Sequence, residues 1–366
     1  MSSEALHGVV RARAQARVVD DLARIDERVR GHISALIDAQ MGPWIDGKHA
    51  DVADVLHAYR EAALAGGKRL RPGFAHWAFE GAGGDPDDPA VLDVAVAIEL
   101  LHTFALIHDD VMDGSTTRRG LDTIHVQYRR RHAALELRGD AAHYGESVAV
   151  LVGDLAFAHA ALLMTRAPTD CARTFFELCA DLMVGQFLDI ESAAHGPLPG
   201  TTRAAQITEL KTARYTVVGP LVIGAALAGR GEELAPHLEA YGHPVGHAFQ
   251  LRDDLLGAFG DPERTGKAVG DDLAQGKVTR LLELGLERCQ GADRELLLRL
   301  GSDRMEEHDV ARAAALLEDC GARAEVEATI DQLVRRGTEA IERSPLLPEI
   351  REVLAGAAHL IANRDR

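Results

Sequence analysis

Residues 98–120 read Ile98-Glu99-Leu100-Leu101-His102-Thr103-Phe104-Ala105-Leu106-Ile107-His108-Asp109-Asp110-Val111-Met112-Asp113-Gly114-Ser115-Thr116-Thr117-Arg118-Arg119-Gly120. An apolar helical run ends here in three carboxylates, and an arginine pair follows. Carboxylates beside an apolar core are costly unless positive charge accompanies them. Asp109 and Asp113 are four apart, so a helix sets them on one face, roughly 5 to 6 Å apart. Two oxygen donors at that spacing suit one hard cation. Asp110 points about 100° away, as a further ligand or as a group supporting the others. A solvated acidic helix end would look the same in isolation. A second Asp pair, in Phe249-Gln250-Leu251-Arg252-Asp253-Asp254-Leu255-Leu256-Gly257, weakens that plain reading.

Outward from this stretch the chain reads as helices. Asp88 is a good N-cap with Pro89 in the first turn, and Gly114 marks the other end. Upstream, helices are expected over 8–41, stopped by Gly42-Pro43, and over 51–64, closed by Gly66-Gly67. Lys68-Arg69-Leu70-Arg71-Pro72 then opens a helix to Phe79, with Lys68 and Arg71 three apart and able to face one ligand. Downstream, 121–146 reads as a looser connection with a solvated basic run at Arg129-Arg130-Arg131. Helices follow at 146–165, at 168–192 with Gly185-Gln186-Phe187-Leu188-Asp189, at 203–229 with Lys211-Thr212, and at 232–260. Residues 261–277 form a loop rich in Gly, Asp and Lys, and 278–362 is helix after helix. No alternating β pattern of useful length occurs. No composition shift marks a boundary, so one all-α domain over 1–366 is expected. The two Asp-rich helices resemble each other weakly, as an internal repeat does.

Composition agrees. The 366 residues are 46% apolar but only 4% aromatic, and Ala, Leu and Val favour helices over sandwiches. A net charge of −17 excludes a nucleic-acid binder that works by neutralising phosphates. Cys171, Cys179, Cys289 and Cys320 form no CxxC pair, which fits a reducing cytoplasmic setting. The first 20 residues lack an apolar signal core. The longest uncharged apolar stretch, 216–229, is short for a membrane span and contains Pro220. A soluble, cytoplasmic protein without a membrane span is therefore expected.

Two acidic clusters on separate helices have one joint explanation. If the helices pack with the clusters facing, carboxylates surround one polar pocket, and carboxylate oxygens suit Mg²⁺. His243 and His247 are four apart, but Pro244 lies between them and no third ligand is obvious. Basic residues follow the acids closely: Arg118 and Arg119 after the first cluster, Lys267 and Lys277 after the second. Lys68, Arg71 and Lys211 sit at helix ends or glycine breaks. Positive groups beside such carboxylates suggest an anionic substrate held both ways, by metal and by Arg or Lys. A diphosphate fits.

These residues carry a resemblance. Gly66-Gly67-Lys68-Arg69-Leu70-Arg71-Pro72 resembles GGKRLRP of the trans-isoprenyl diphosphate synthases, the polyprenyl synthetase family. Asp109-Asp110-Val111-Met112-Asp113 with Arg118-Arg119-Gly120 resembles its first aspartate-rich motif and RRG. Lys211-Thr212 resembles the KT motif, and Gln250 with Asp253-Asp254 the second aspartate-rich motif. The match runs in order over roughly residues 60 to 280, and the motifs are specific together. The resemblance implies an all-α isoprenoid synthase helical bundle with a deep central cavity, usually a homodimer. It implies Mg²⁺, three ions with substrate bound, held by Asp109, Asp113 and Asp253, with Asp110 and Asp254 beside them. It implies that Arg118, Lys211 and Lys267, with Lys277 nearby, contact an allylic diphosphate, and that Lys68, Arg71, His102 and Arg119 hold isopentenyl diphosphate. One position departs from the pattern: Gly257 stands where the second motif ends in Asp, and Asp261 is too far along to substitute simply. Asp253 and Asp254 remain, so activity is expected to survive.

The implied reaction ionises an allylic diphosphate. Metal, Arg and Lys stabilise the departing charge. The second substrate attacks through its double bond, and the departing diphosphate takes the proton. Thr212 and Gln250 are uncharged dipoles able to steady the cation. Three other readings fit less well. A class I terpene cyclase needs no second diphosphate site. A non-catalytic partner subunit does not need intact Asp109, Asp113, Asp253, Lys211 and Arg118. An HD-type phosphohydrolase, suggested by His108-Asp109, lacks its further His ligands. Product length is expected to depend on Phe104 and Ala105, about 7.5 and 6 Å below Asp109 along the helix. An aromatic residue at Phe104 resembles synthases that stop near C20, so geranylgeranyl diphosphate is expected, with farnesyl diphosphate as the alternative.

Overall fold

The computed structural model describes residues 3–44, 50–118, 120–196, 203–260, 270–302, 305–306 and 308–362. Arg119, Asp261 and Lys267 lie outside the described residues. The elements run α1 (Ser3–Met41), α2 (Ala50–Leu64), α3 (Leu70–Gly81) and α4 (Pro89–Met112), then two short strands, β1 (Thr117–Arg118) and β2 (Leu121–Asp122). There follow α5 (Ile124–Ala134), α6 (Ala141–Met164), α7 (Thr169–His195), α8 (Arg203–Ile207), a π-helical stretch Thr208–Val218, α9 (Gly219–Leu227) and α10 (Gly231–Phe259). A short α11 (Asp271–Ala274) leads into α12 (Arg280–Arg288), α13 (Gly291–Arg299), α14 (Asp309–Asp319), α15 (Ala322–Glu342) and α16 (Pro348–Ala362). The all-α expectation holds.

Helix α4 starts as its sequence directs: the Asp88 side chain accepts from Ala90 N at 2.8 Å, with Pro89 in the first turn. It packs on α6, α3 and α1. Both α4 and α6 are long and apolar enough to cross a membrane by length and composition. The apolar face of α4 is instead part of the core, and α6 adds one side to it while Val150, Leu151 and Leu162 stay exposed; the core forms two clusters. One joins α4 to α1, α2, α6 and α7 around Ile98, Leu100, Leu101, Val152 and Phe175. The other joins α10 to α3, α9, α15 and α16 around Phe74, Trp77, Leu221, Tyr241 and Ile330. Burial of such side chains contributes about 1.5 to 3 kcal/mol each.

Besides the short α11, which lies within a stretch expected as a loop, two segments differ from expectation. The connection at 121–146 contains the β1–β2 hairpin and α5. That helix buries Ile124, Val126, Tyr128 and His132, while Arg129 and Arg130 face solvent. The basic run hid its apolar stripe. Arg131 is not simply solvated, since it meets Asp51 and Asp54 of α2 at 2.9 and 3.0 Å. The expected helix over 203–229 is interrupted by the π stretch. Pro220 lacks an amide hydrogen, and its ring crowds the carbonyl four residues back, which disfavours ordinary α registry there. Single-turn π bulges are the usual form and often mark functional sites, so an 11-residue stretch is notable here.

Candidate active site

Helix α4 runs through Asp109 and Asp110 to Met112, and the last acid, Asp113, caps it. Asp113 N donates to Asp109 O at 2.8 Å, which keeps the two residues one turn apart. Gly114, at φ 62, then reverses the chain, and the β1–β2 hairpin folds Arg118 back over the helix end. Arg118 Nη2 lies 2.6 Å from Asp110 Oδ1 and 3.7 Å from Asp109 Oδ2. Asp110 is buried on this guanidinium and is absent from the cavity wall. Asp113 and Arg118 are likewise absent from that wall, so Asp110 and Arg118 stand paired beside the cavity.

Asp109 faces a cavity of about 450 Å³. Lys211 Nζ sits between Asp109 Oδ1 at 3.1 Å and Asp189 Oδ2 at 2.7 Å, and Gln186 Nε2 donates to Asp109 Oδ1 at 3.1 Å. Burial opposes the Lys211 ammonium, but Asp109 and Asp189 outweigh it and hold its pKa above the ordinary lysine value. Lys211 can stand this close to α7 because Gly185 has no side chain. A Cβ there would fall 2.9 Å from Leu210 Cβ and 3.0 Å from Lys211 N. The π stretch presents Lys211, Thr212, Tyr215 and Thr216 together to the cavity.

Across the cavity, Thr212 Oγ1 donates to Gln250 Oε1 at 2.5 Å, and Gln250 Nε2 donates to Asp254 Oδ1 at 2.8 Å. Asp253, Asp254, Asp272 and Lys277 line the same wall, with Lys277 Nζ 3.2 Å from Asp272 Oδ1. Burial, with Asp272 and Asp253 adding like charge, pushes the Asp254 carboxyl up to about 7. Asp113, just past the end of α4, is exposed and does not line the cavity; crowding of its carboxyl by surrounding protein atoms, with the nearby Asp109 charge, raises its pKa.

A third group closes the cavity. Arg71 lies 4.5 Å over the Tyr215 ring and donates from Nη2 to Thr216 Oγ1 at 2.8 Å. Tyr215 Oη is 3.3 Å from His102 Nδ1. Lys68, expected to share a helical face with Arg71, precedes the helix and is exposed. Between them Arg69 adopts φ 49 and turns inward onto Asp26, at 2.7 Å, and Glu99. Phe104 and Ala105 both line the apolar wall, with Leu182, Met183 and Ile190 from α7. Phe104 packs on Phe157 of α6, with ring centroids 5.2 Å apart.

Sequence reasoning missed Asp189, Gln186, Tyr215 and Asp272 as site residues. The first two stood in a noted run, Gly185-Gln186-Phe187-Leu188-Asp189, whose spacing puts both on one helical face. His243 and His247 lie outside the cavity wall. Their shared partner is Glu209, at 2.8 and 2.9 Å.

Comparison with known proteins places the chain in a family. Residues 53–317 match the Polyprenyl synthetase family. A short chain isoprenyl diphosphate synthase of Methanothermobacter thermautotrophicus is 33% identical over 355 residues, 93% of this chain and 95% of that one. A geranylgeranyl diphosphate synthase of Mycobacterium tuberculosis is 31% identical, over 97% of this chain and 93% of that one. The crystal structure of a geranylgeranyl pyrophosphate synthase from Corynebacterium glutamicum, complexed with isoprenyl diphosphate and magnesium, superposes with a TM-score of 0.86 at 34% identity, covering 94% of this chain and 99% of that one. With a family match over residues 53–317 and a relative 33% identical over 93% of its length, this chain belongs to the polyprenyl synthetase family.

Proposed function

We propose that this chain is a prenyltransferase that joins isopentenyl diphosphate head-to-tail to an allylic diphosphate. It releases a short-chain trans prenyl diphosphate, with geranylgeranyl diphosphate as the main product. The observation that carries this reading is Lys211, held charged by Asp109 and Asp189 at the head of a cavity whose lower wall is apolar. That arrangement suits an anionic head with a hydrocarbon tail.

The donor set fits Mg²⁺. Asp109, Asp113 and Asp253 offer hard oxygen ligands from two helix ends. Among the described residues no three His, Cys, Asp or Glu side chains converge closely enough to hold an ion alone. An ion here would therefore take part of its oxygen shell from the substrate diphosphate, as Mg²⁺ commonly does. Bound there, it would neutralise charge on the departing diphosphate. Lys211, Lys277 and Arg118 then hold the remaining oxygens of the allylic diphosphate, with Lys267 assigned to the same role from sequence. Arg71 and His102 take isopentenyl diphosphate, with Lys68 and Arg119 assigned there from sequence. The Thr212–Gln250 pair offers neutral dipoles to the allylic cation without a nucleophile that would trap it. The apolar wall keeps water from that cation. The proton leaves on the released diphosphate.

A homodimer is part of the proposal. Apolar side chains stand exposed on α6 and α7 away from the cavity wall, among them Leu151, Leu162, Phe176 and Val184. A second copy covers this face, and sedimentation at micromolar concentration should give twice the chain mass. The activity is tested by incubating the purified protein with Mg²⁺, isopentenyl diphosphate and each allylic starter in turn, then measuring product length. A C20 product is expected. Release of cyclic hydrocarbon, or no condensation with any starter, would sink the reading.

A further inference from the structure

The second acidic helix end is one carboxylate short in sequence, because Asp253-Asp254-Leu255-Leu256 is followed by Gly257. On a helix, position 257 lies one turn beyond Asp253 and on the same face. That place is occupied. A Cβ built on Gly257 would fall on the carboxylate of Asp272, 2.5 Å from its Cγ and 3.0 Å from its Cβ. Asp272 comes from α11, which folds back against the end of α10. It lines the same cavity as Asp253 and Asp254, and its mostly buried side chain meets Lys277 at 3.2 Å.

We propose that Asp272 is the third carboxylate of the second acidic cluster, occupying the place left by Gly257 and supporting the metal held at Asp253. A side chain at 257 would meet the Asp272 carboxylate in its observed position, so that carboxylate would have to move. The cluster is thus assembled from two elements rather than from one helical repeat. Asp272 is a positioning residue that also keeps Lys277 at the cavity edge. This inference rests on the metal-dependent reading of the site.

The test is Mn²⁺ binding in the presence of inorganic diphosphate, read from the free-ion electron paramagnetic resonance signal. Thermal unfolding is followed in parallel to establish that each variant folds. Asp272→Asn and Asp272→Ala should weaken binding about 10-fold or more, the usual range for groups supporting a metal ligand. Gly257→Asp alone should also weaken it, because two carboxylates compete for one place. Gly257→Asp combined with Asp272→Ala should restore affinity to within about threefold of the natural chain. If the double variant stays as weak as Asp272→Ala, the carboxylate acts only by holding Lys277 and the proposal falls. Unchanged binding in Asp272→Asn overturns it as well. Asp253→Ala separates the two levels: if it abolishes binding while the Asp272 variants do not, the metal reading stands and this inference alone fails. If Asp253→Ala and Asp109→Ala both bind normally, the metal reading fails and takes the inference with it.

Discussion

The acidic ends of α4 and α10 face one cavity but are built by different means. On α4 the cluster is local. Asp109 and Asp113 are tied by one backbone hydrogen bond, and Asp110 turns away to hold Arg118. On α10 the helix supplies Asp253 and Asp254, and the next carboxylate arrives from α11. Their countercharges differ too. Asp109 is met by Lys211, Gln186 and Arg118 from three other elements. Asp254 is buried against Gln250, and its carboxyl is pushed up to about 7. A motif closed within one helix can be read from spacing. A motif closed by a returning segment cannot.

The largest effect should separate the two ends. Asp109→Ala removes the acid that Lys211, Gln186 and Arg118 converge on, and turnover should fall by roughly 10³-fold or more. Asp253→Ala should cost roughly 10²-fold, because Asp254 and Asp272 remain beside it. Circular dichroism should show both variants folded. A larger loss at Asp253 in steady-state prenyl transfer would reverse the ranking of the two ends.

Product length should belong to α4 alone. Phe104 packs on Phe157 and narrows the apolar wall below Asp109. Phe104→Ala should lengthen the product by one or more five-carbon units, and Ala105→Phe should shorten it. Phe249 stands four before Asp253, as Ala105 stands four before Asp109, and it also lines the cavity. Phe249→Ala should nevertheless leave the main product unchanged. Chromatography of the dephosphorylated products checks all three, and a shift with Phe249→Ala only would move the stop to α10.

A smaller effect concerns the two diphosphates. Arg71 lies against Tyr215 and Thr216, whereas Lys277 pairs with Asp272 at the second acidic end. Arg71→Ala should raise KM for isopentenyl diphosphate about tenfold, the scale of one charge-assisted hydrogen bond. Lys277→Ala should raise KM chiefly for the allylic substrate. Equal changes for both substrates in both variants would merge the two subsites.

The helix order was legible because apolar spacing and capping residues act locally, and the motif residues Asp109, Lys211, Thr212, Gln250 and Asp253 read from the sequence do line the cavity, though most of its wall was not named as site residues. Asp88-Pro89 set the start of α4 as read. What was illegible depends on contacts between distant segments. Arg69 turns inward at positive φ because Asp26 and Glu99 await it, and nothing in Gly-Gly-Lys-Arg marks which basic residue enters the core. The π stretch shifts Lys211 and Tyr215 through backbone registry that apolar periodicity alone does not encode. Asp272 was visible only as one acid in a loop of several.

The smallest expected effect concerns how the Lys211 segment is fastened to each end. Toward α4 the fastening is Lys211 itself, on Asp109. Toward α10 it is Glu209, which bridges His243 at 2.8 Å and His247 at 2.9 Å. Burial works against charge on Glu209, but the hydrogen bonds from the two histidines outweigh it and hold the carboxyl at about 2. Its contribution is therefore present above the ordinary value of 4.5 and is lost as pH falls toward 2. The hydrogen bond to Glu209 raises His243, with Glu239 adding to the shift and burial and Arg214 opposing it. That contribution is full below the ordinary value of 6.5 and is lost as pH rises through the raised folded value. Both contributions hold between pH 4.5 and 6.5. Glu209→Gln should then cost about 1 kcal/mol near pH 5.5 after allowance for solvent screening of these half-exposed groups. That corresponds to a melting midpoint lower by about 2 °C or less in a chain of this size. Near pH 9, with His243 neutral, the loss should be smaller. Melting curves of both proteins at the two pH values decide it: an equal loss at each would make the α10 fastening a matter of packing, and the contrast with the charged fastening at α4 would disappear.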